Sequence, residues 1–223
     1  MKKQYAILAV VALCSYITFA TPVDNSTSVN VVGYYSLTFQ RGEKVMTSMP
    51  FLGIGNRRLK SGDVFGDQLP VGSTVHAFDP VTKAYASDER SSMGWSGNIV
   101  YRQNLGFWVM IPDNAPKQTY AFTYCGQVLT SGTVTNMIYP NLNMVSYPFP
   151  CNVAWTNTTL ATQAAIGDQL YNWNGSNYVI FTKTASGWGG ATNLSVPIGT
   201  GFMYRSSRSE PISCAEHCPY KFP

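Results

Sequence analysis

Acid–base and nucleophilic chemistry needs an imidazole or a pair of carboxylates, and this chain is short of both. His76 and His217 are its only histidines. His76 stands in "GSTVHAF", and the matching place of a later run, "GDQLYNW", holds Tyr171. A position that takes Tyr as readily as His reads as a packing or rim position rather than a general base. No G-x-S-x-G occurs, so no serine has the turn and relay that make a hydroxyl nucleophilic. Asp63, Asp67, Asp79, Asp88, Glu89 and Asp168 are candidates for the acid and base of a glycosidase. Four of them lie in turns beside Gly, Pro or Ser, where Asp serves local hydrogen bonding, and none recurs in the later run.

Metal and phosphate chemistry fare no better. "CAEHC", residues 214–218, offers at most three soft ligands, a pattern that in an exported chain reads as disulfide chemistry before metal. No Asp-x-Asp-x-Asp run offers calcium a loop. "GIGNRR", starting at Gly53, lacks the third glycine and the Lys-Ser/Thr pair of a phosphate loop. The expectation is a chain that is not an enzyme and that carries no metal and no cofactor.

Binding chemistry is better served. Trp95 and Trp188 each follow a glycine, and Tyr85 and Tyr178 each lie ten residues before them. Each indole either closes the core of its own unit or, with its tyrosine, forms a flat platform for a sugar ring. These four are the candidate ligand-binding residues.

The elements that must position them are spelled twice. "VMTSMPF" returns as "MVSYPFP" at an offset of 98, Gly72 as Gly167 at 95, Gly94-Trp95 as Gly187-Trp188 at 93, and Gly106-Phe107 as Gly201-Phe202 at 95. Four ordered blocks at nearly constant spacing predict a tandem duplication. "VHAF-DPVT-KAYA" reads as a hairpin whose turn Asp79-Pro80 opens, and "LYNW-NGSN-YVIF" as its counterpart around Asn174-Gly175. Thr158 or Thr159 can cap a helical turn or two over residues 160–165, and a less helical stretch precedes the first hairpin. The expected fold is mainly all-β: two homologous units of about 95 residues, each with hairpins and at most one short helix. The boundaries are 28–127 and 128–210, with a tail at 211–223.

"MKKQYAILAVVALCSYITFA", residues 1–20, has the basic start, short apolar run and small final residue of a secretory signal. The run is too short and too polar for a membrane span. Cys14 raises a lipoprotein as the alternative, although Val11 and Leu13 fit a lipobox poorly. Removing Lys2 and Lys3 leaves thirteen basic against eleven acidic residues, and only "NRRLK" is locally basic. Such a balance offers nucleic acid no footprint.

In combination "SMPF", "GSTVHAF", "GW" and "LGFWV", with "SYPF", "GDQLYNW", "GW" and "GTGFMY", resemble the blocks of exported tandem-repeat β-proteins from Verrucomicrobia- and Lentisphaerae-type bacteria. The resemblance spans about residues 30–207. Asn104 departs from it, standing where the pattern has a glycine. It implies architecture and export, and it supplies no catalytic residue.

Four cysteines remain beyond the signal: Cys125, Cys151, Cys214 and Cys218. Sequence leaves three connectivities open, and we expect Cys125–Cys151 at the junction and Cys214–Cys218 in the tail. The functional expectation is a secreted or cell-surface protein acting by display, adhesion or assembly with surface or matrix partners. The alternative is a carbohydrate-binding module, and a glycosidase comes third.

Overall fold

The computed structural model describes residues 31–220. The expected signal segment lies outside them. Among the described residues, no helix is long and apolar enough to cross a membrane. The chain is mainly β, and its paired strands run antiparallel.

The first half contains β1 (Val32–Gln40), β2 (Lys44–Ser48), α1 (Ser61–Phe65), β3 (Thr74–Asp79), β4 (Ala84–Ser91), β5 (Gly94–Trp95), β6 (Gly106–Met110) and β7 (Thr119–Gln127). The second contains β8 (Thr133–Ile138), β9 (Asn141–Ser146), β10 (Val153–Ala154), α2 (Thr159–Gln163), β11 (Gln169–Trp173), β12 (Tyr178–Thr182), β13 (Ser195–Val196), β14 (Gly201–Ser206) and β15 (Ile212–His217). The first half forms the sheet β2-β6-β3-β4-β5, and the second forms β9-β14-β11-β12. Four strands therefore follow one another in the same order in both. A two-stranded ribbon accompanies each sheet, β1 with β7 and β8 with β15, pairing the first long strand of a half with its last.

The ribbon β8–β15 corrects one expectation. Residues 212–217 are not part of a tail but the closing strand of the second half. Cys214 turns inward and Ser213 outward, and short polar side chains had hidden this alternation.

Local chemistry explains both hairpins. The Asp79 carboxylate accepts from the Val81 amide at 2.9 Å, folding the turn between β3 and β4. The Asn174 side chain accepts from the amides of Ser176 and Asn177 at 3.0 and 2.8 Å between β11 and β12. Thr158 caps α2, its hydroxyl accepting from the Ala161 amide at 3.1 Å.

Three apolar clusters result. One, around Phe39, Phe65, Phe107 and Phe122, belongs to the first half, and one around Phe149, Trp155, Leu170 and Tyr204 to the second. The third is shared: Met46 and Trp108 from the first sheet meet Met144 and Met203 from the second, flanked by Phe78, Tyr171 and Trp173. At the offsets of the repeated blocks, Met46 answers Met144 and Trp108 answers Met203, so the seam is built from matching positions.

Backbone contacts across the seam are reciprocal. Thr47 bridges Thr200, and Leu105 bridges Val145. The Ser48 amide donates to the Gly199 carbonyl at 2.9 Å, and the Ser146 amide donates to the Asn104 carbonyl at 3.2 Å. These crossings explain the shared Gly-Phe pairs. A β-carbon on Gly106 would lie 2.5 Å from the Val145 carbonyl oxygen, and one on Gly201 would lie 2.5 Å from that of Thr47.

Asn104 has a matching explanation. Its counterpart Gly199, at φ 73°, is pressed by the Tyr35 ring, which leaves no room for a side chain. Asn104 instead has space beside it, where it and Val134 line a small cavity next to Trp155.

Replacing Gly201 by Ala should force the crossing apart and lower the unfolding free energy by about 2 kcal/mol. Urea denaturation measures this, and an unchanged midpoint would contradict the steric account.

Candidate functional site

The two indoles serve the folds of their own halves. The Trp95 ring packs against Phe65 at 5.2 Å, and its N–H donates to the Gly66 carbonyl at 2.9 Å, just past α1. Trp188 is buried against Trp155 at 5.2 Å and donates to the Ala161 carbonyl at 2.9 Å, inside α2. Each indole thus pins a short helix. The expected platforms, one Trp with one Tyr in each unit, are not formed, because each indole is engaged by the short helix of its half.

The tyrosines have a different setting. Tyr85 on β4 is half exposed and meets Phe78 edge-on at 5.2 Å. Tyr178 on β12 packs against Trp108 at 6.2 Å and Trp173 at 5.3 Å. Burial pushes the Tyr178 hydroxyl up to about 12, and the neighbouring Tyr85 adds to the shift. The two phenols therefore lie within electrostatic reach of each other on the rim of the seam.

Phe78 continues this rim into a groove of ≈ 450 Å³ between the halves. One wall carries Asp79, Val81, Asn98, Val100 and Arg102. The other carries Asn136, Met137 and Tyr139, and the floor includes Leu105, Met144 and Val145. Val81, Val100 and Met137 are exposed. Hydrogen bonds from the Val81 amide hold the Asp79 carboxyl below its usual range despite slight desolvation, with help from Thr82 and the charge of Arg102. The groove therefore combines amides, one ion pair's worth of opposite charge and apolar ledges, beside two exposed phenol rings.

His76 is held between two hydroxyls. Its Nδ1 meets the Ser87 hydroxyl at 2.7 Å, its Nε2 meets the Thr74 hydroxyl at 3.1 Å, and burial lowers its pKa. The group orienting the imidazole is a neutral hydroxyl, which would not stabilise an imidazolium as a carboxylate does. Tyr171 repeats the arrangement, donating to Gln169 two residues away at 2.8 Å.

Two of the candidate carboxylates prove to be buried structural pegs. Asp88 accepts from the Ser61 hydroxyl, the Ser96 hydroxyl at 3.0 Å, and the amides of Asn98 and Ile99 at 2.5 and 3.2 Å. It ties α1 and the 96–99 segment to β4. Asp168 accepts from the Tyr204 hydroxyl at 2.5 Å, the Ser207 amide and hydroxyl each at 2.7 Å, and the Ala165 amide at 2.8 Å. With both oxygens of each so occupied, neither carboxylate faces the groove. Sequence reasoning counted them among six candidate acids, since nothing local distinguishes a buried Asp from an exposed one.

Among the described residues the four cysteines are free thiols, against expectation. Cys125 projects outward from β7, opposite Tyr34 in the first half, whereas Cys151 packs against the core of the second. Cys214 is buried on β15, and Cys218 lies four residues further along the extended chain. At about 3.3 Å per residue that is roughly 13 Å, twice what a disulfide spans. The same alternation keeps "CAEHC" from converging: Cys214 points into the core, while the exposed His217 meets the Thr133 hydroxyl at 3.0 Å. Among the described residues no group of three or more His, Cys, Asp or Glu side chains could hold a metal ion.

No protein-family model, curated protein or solved structure matches the chain.

The state of Asp168 carries a pH signature. Burial alone would raise its carboxyl, but the hydrogen bonds from Ser207, Tyr204 and Ala165 outweigh burial and leave it below its ordinary value. A lowered folded-state pKa contributes stability above the ordinary carboxylate range, and that stability is lost as pH falls through the folded value. Asp168→Asn should cost about 2–3 kcal/mol at pH 7 and flatten the acid limb of the stability curve. Urea melts from pH 7 down to 2 read both effects, and a variant retaining the full acid dependence would refute the assignment.

Proposed function

We propose that this chain is a duplicated β-module that binds rather than transforms its ligand, and that the ligand is a glycan lying in the groove between the halves. The observation that carries the reading is the placement of Tyr85 and Tyr178 within electrostatic reach of each other, with Phe78 joining Tyr85 to a groove that has Asn98, Arg102 and Asn136 on its walls. Sugar rings stack on flat apolar faces, and their hydroxyls take hydrogen bonds from amides and guanidinium groups. Export through the amino-terminal segment would place such a module at the cell surface or in secreted matrix, where binding amounts to adhesion.

Cleavage is less well served than binding. Glycosidic hydrolysis needs two carboxyl groups about 5–9.5 Å apart across the bond. Among the described residues lining the groove, Asp79 is the only carboxylate, and it is held by its own turn.

A glycan array probed with the mature protein tests the reading, followed by titration monitored through tryptophan fluorescence, since Trp108 and Trp173 adjoin the rim. Tyr85→Ala and Arg102→Ala should each weaken binding about 3- to 10-fold while leaving the melting temperature unchanged. Retention of no glycan, or affinities indifferent to both substitutions, would sink the proposal.

A further inference from the structure

Two thiols that sequence reasoning assigned to different partners lie around one aromatic contact. Phe149, following β9, meets the Tyr220 ring edge-on at 6.2 Å. Cys151 follows Phe149, and its amide donates to the Phe149 carbonyl at 2.8 Å. On the other side, the Cys218 thiol donates to the Tyr220 carbonyl at 3.3 Å, and its amide is anchored to the Gly132 carbonyl at 3.0 Å. Both sulfurs are half-buried against the core of the second half. Cys125 stands outside this arrangement, in the first half, and Cys214 is sealed inside the core.

We propose that Cys151 and Cys218 are the disulfide-forming pair of this protein. The oxidant is a small-molecule disulfide of the glutathione type. One thiolate of the pair attacks it, forming a mixed disulfide and releasing one thiol. The second thiolate then attacks the protein sulfur of that intermediate, closing the intrachain bond and releasing the other thiol. Two cysteine thiols are oxidised, and one disulfide is reduced to two thiols. The link would tie the exit of β9 to the exit of β15. Because β15 is the partner of β8, it would also brace the strand that carries Asn136 and Met137 in the groove wall.

The experiment uses the full chain, incubated with oxidised glutathione, alkylated and mapped by mass spectrometry without reduction. The expected product joins Cys151 to Cys218, with Cys214 alkylated only after unfolding and Cys125 alkylated or glutathionylated. The Cys125→Ser/Cys214→Ser double variant should close the same bond. The oxidised protein should melt roughly 5–15 °C above the reduced form. An intrachain link that includes Cys125 or Cys214, or the absence of any intrachain link, would overturn the assignment. The mapping uses the unmutated chain, so it stands even where a cysteine variant folds poorly.

Discussion

Each half of this protein sends its first sheet strand across the Gly-Phe strand of the other, close enough that the carbonyls of Thr47 and Val145 occupy the space of β-carbons at Gly201 and Gly106. Much else follows from that approach. It sets the amide-to-carbonyl bonds from Ser48 and Ser146, which reach into the opposite half. It also brings the methionines of β2 and β9 and the central strands β6 and β14 into one apolar layer. Residues 31–220 consequently behave as one compact unit with three clusters rather than as two beads on a string.

The crossing also makes the groove. Had the halves been joined by a linker alone, the ends of β3 and β8 would face water separately. Held by the seam, they face each other, and the residues between them are drawn from both sheets. The matching positions have diverged where they meet solvent. Phe78 is answered by Trp173, whose indole N–H donates to the Lys44 carbonyl at 3.1 Å and is drawn into the seam. The shared strand order thus supplies the frame, and different side chains at corresponding places leave the groove on one side of it.

What could be read from the sequence was the local part. Asp79 and Asn174 announce their turns because each closes a hydrogen bond within a few residues, and Thr158 announces its helix for the same reason. The repeated glycines were legible as positions, but their cause was not, since the atoms that exclude a β-carbon at Gly106 come from a strand about forty residues away. Trp95 and Trp188 were ambiguous for a related reason. A Gly-Trp pair is compatible with an indole turned in or out, and only the short helix beneath it decides. The cysteines misled because proximity along the chain was taken as a guide to proximity in space, whereas an extended strand carries Cys214 and Cys218 steadily apart. Asp88 and Asp168 differ from the turn aspartates in their surroundings alone, and those surroundings are assembled from segments far off in the chain.

The reciprocal crossing also governs how the chain reaches this state. A polypeptide is made from its amino terminus, so Met46 and Trp108 emerge well before Met144 and Met203 exist to cover them. Pairings such as Thr47 with Thr200 close loops of some 150 residues, and contacts so distant in sequence slow the search for the native arrangement. In the interval the first half presents an apolar face with no partner, and like halves on neighbouring chains offer one another nearly the same surface. Exchange of halves between two chains is therefore the characteristic error open to this architecture.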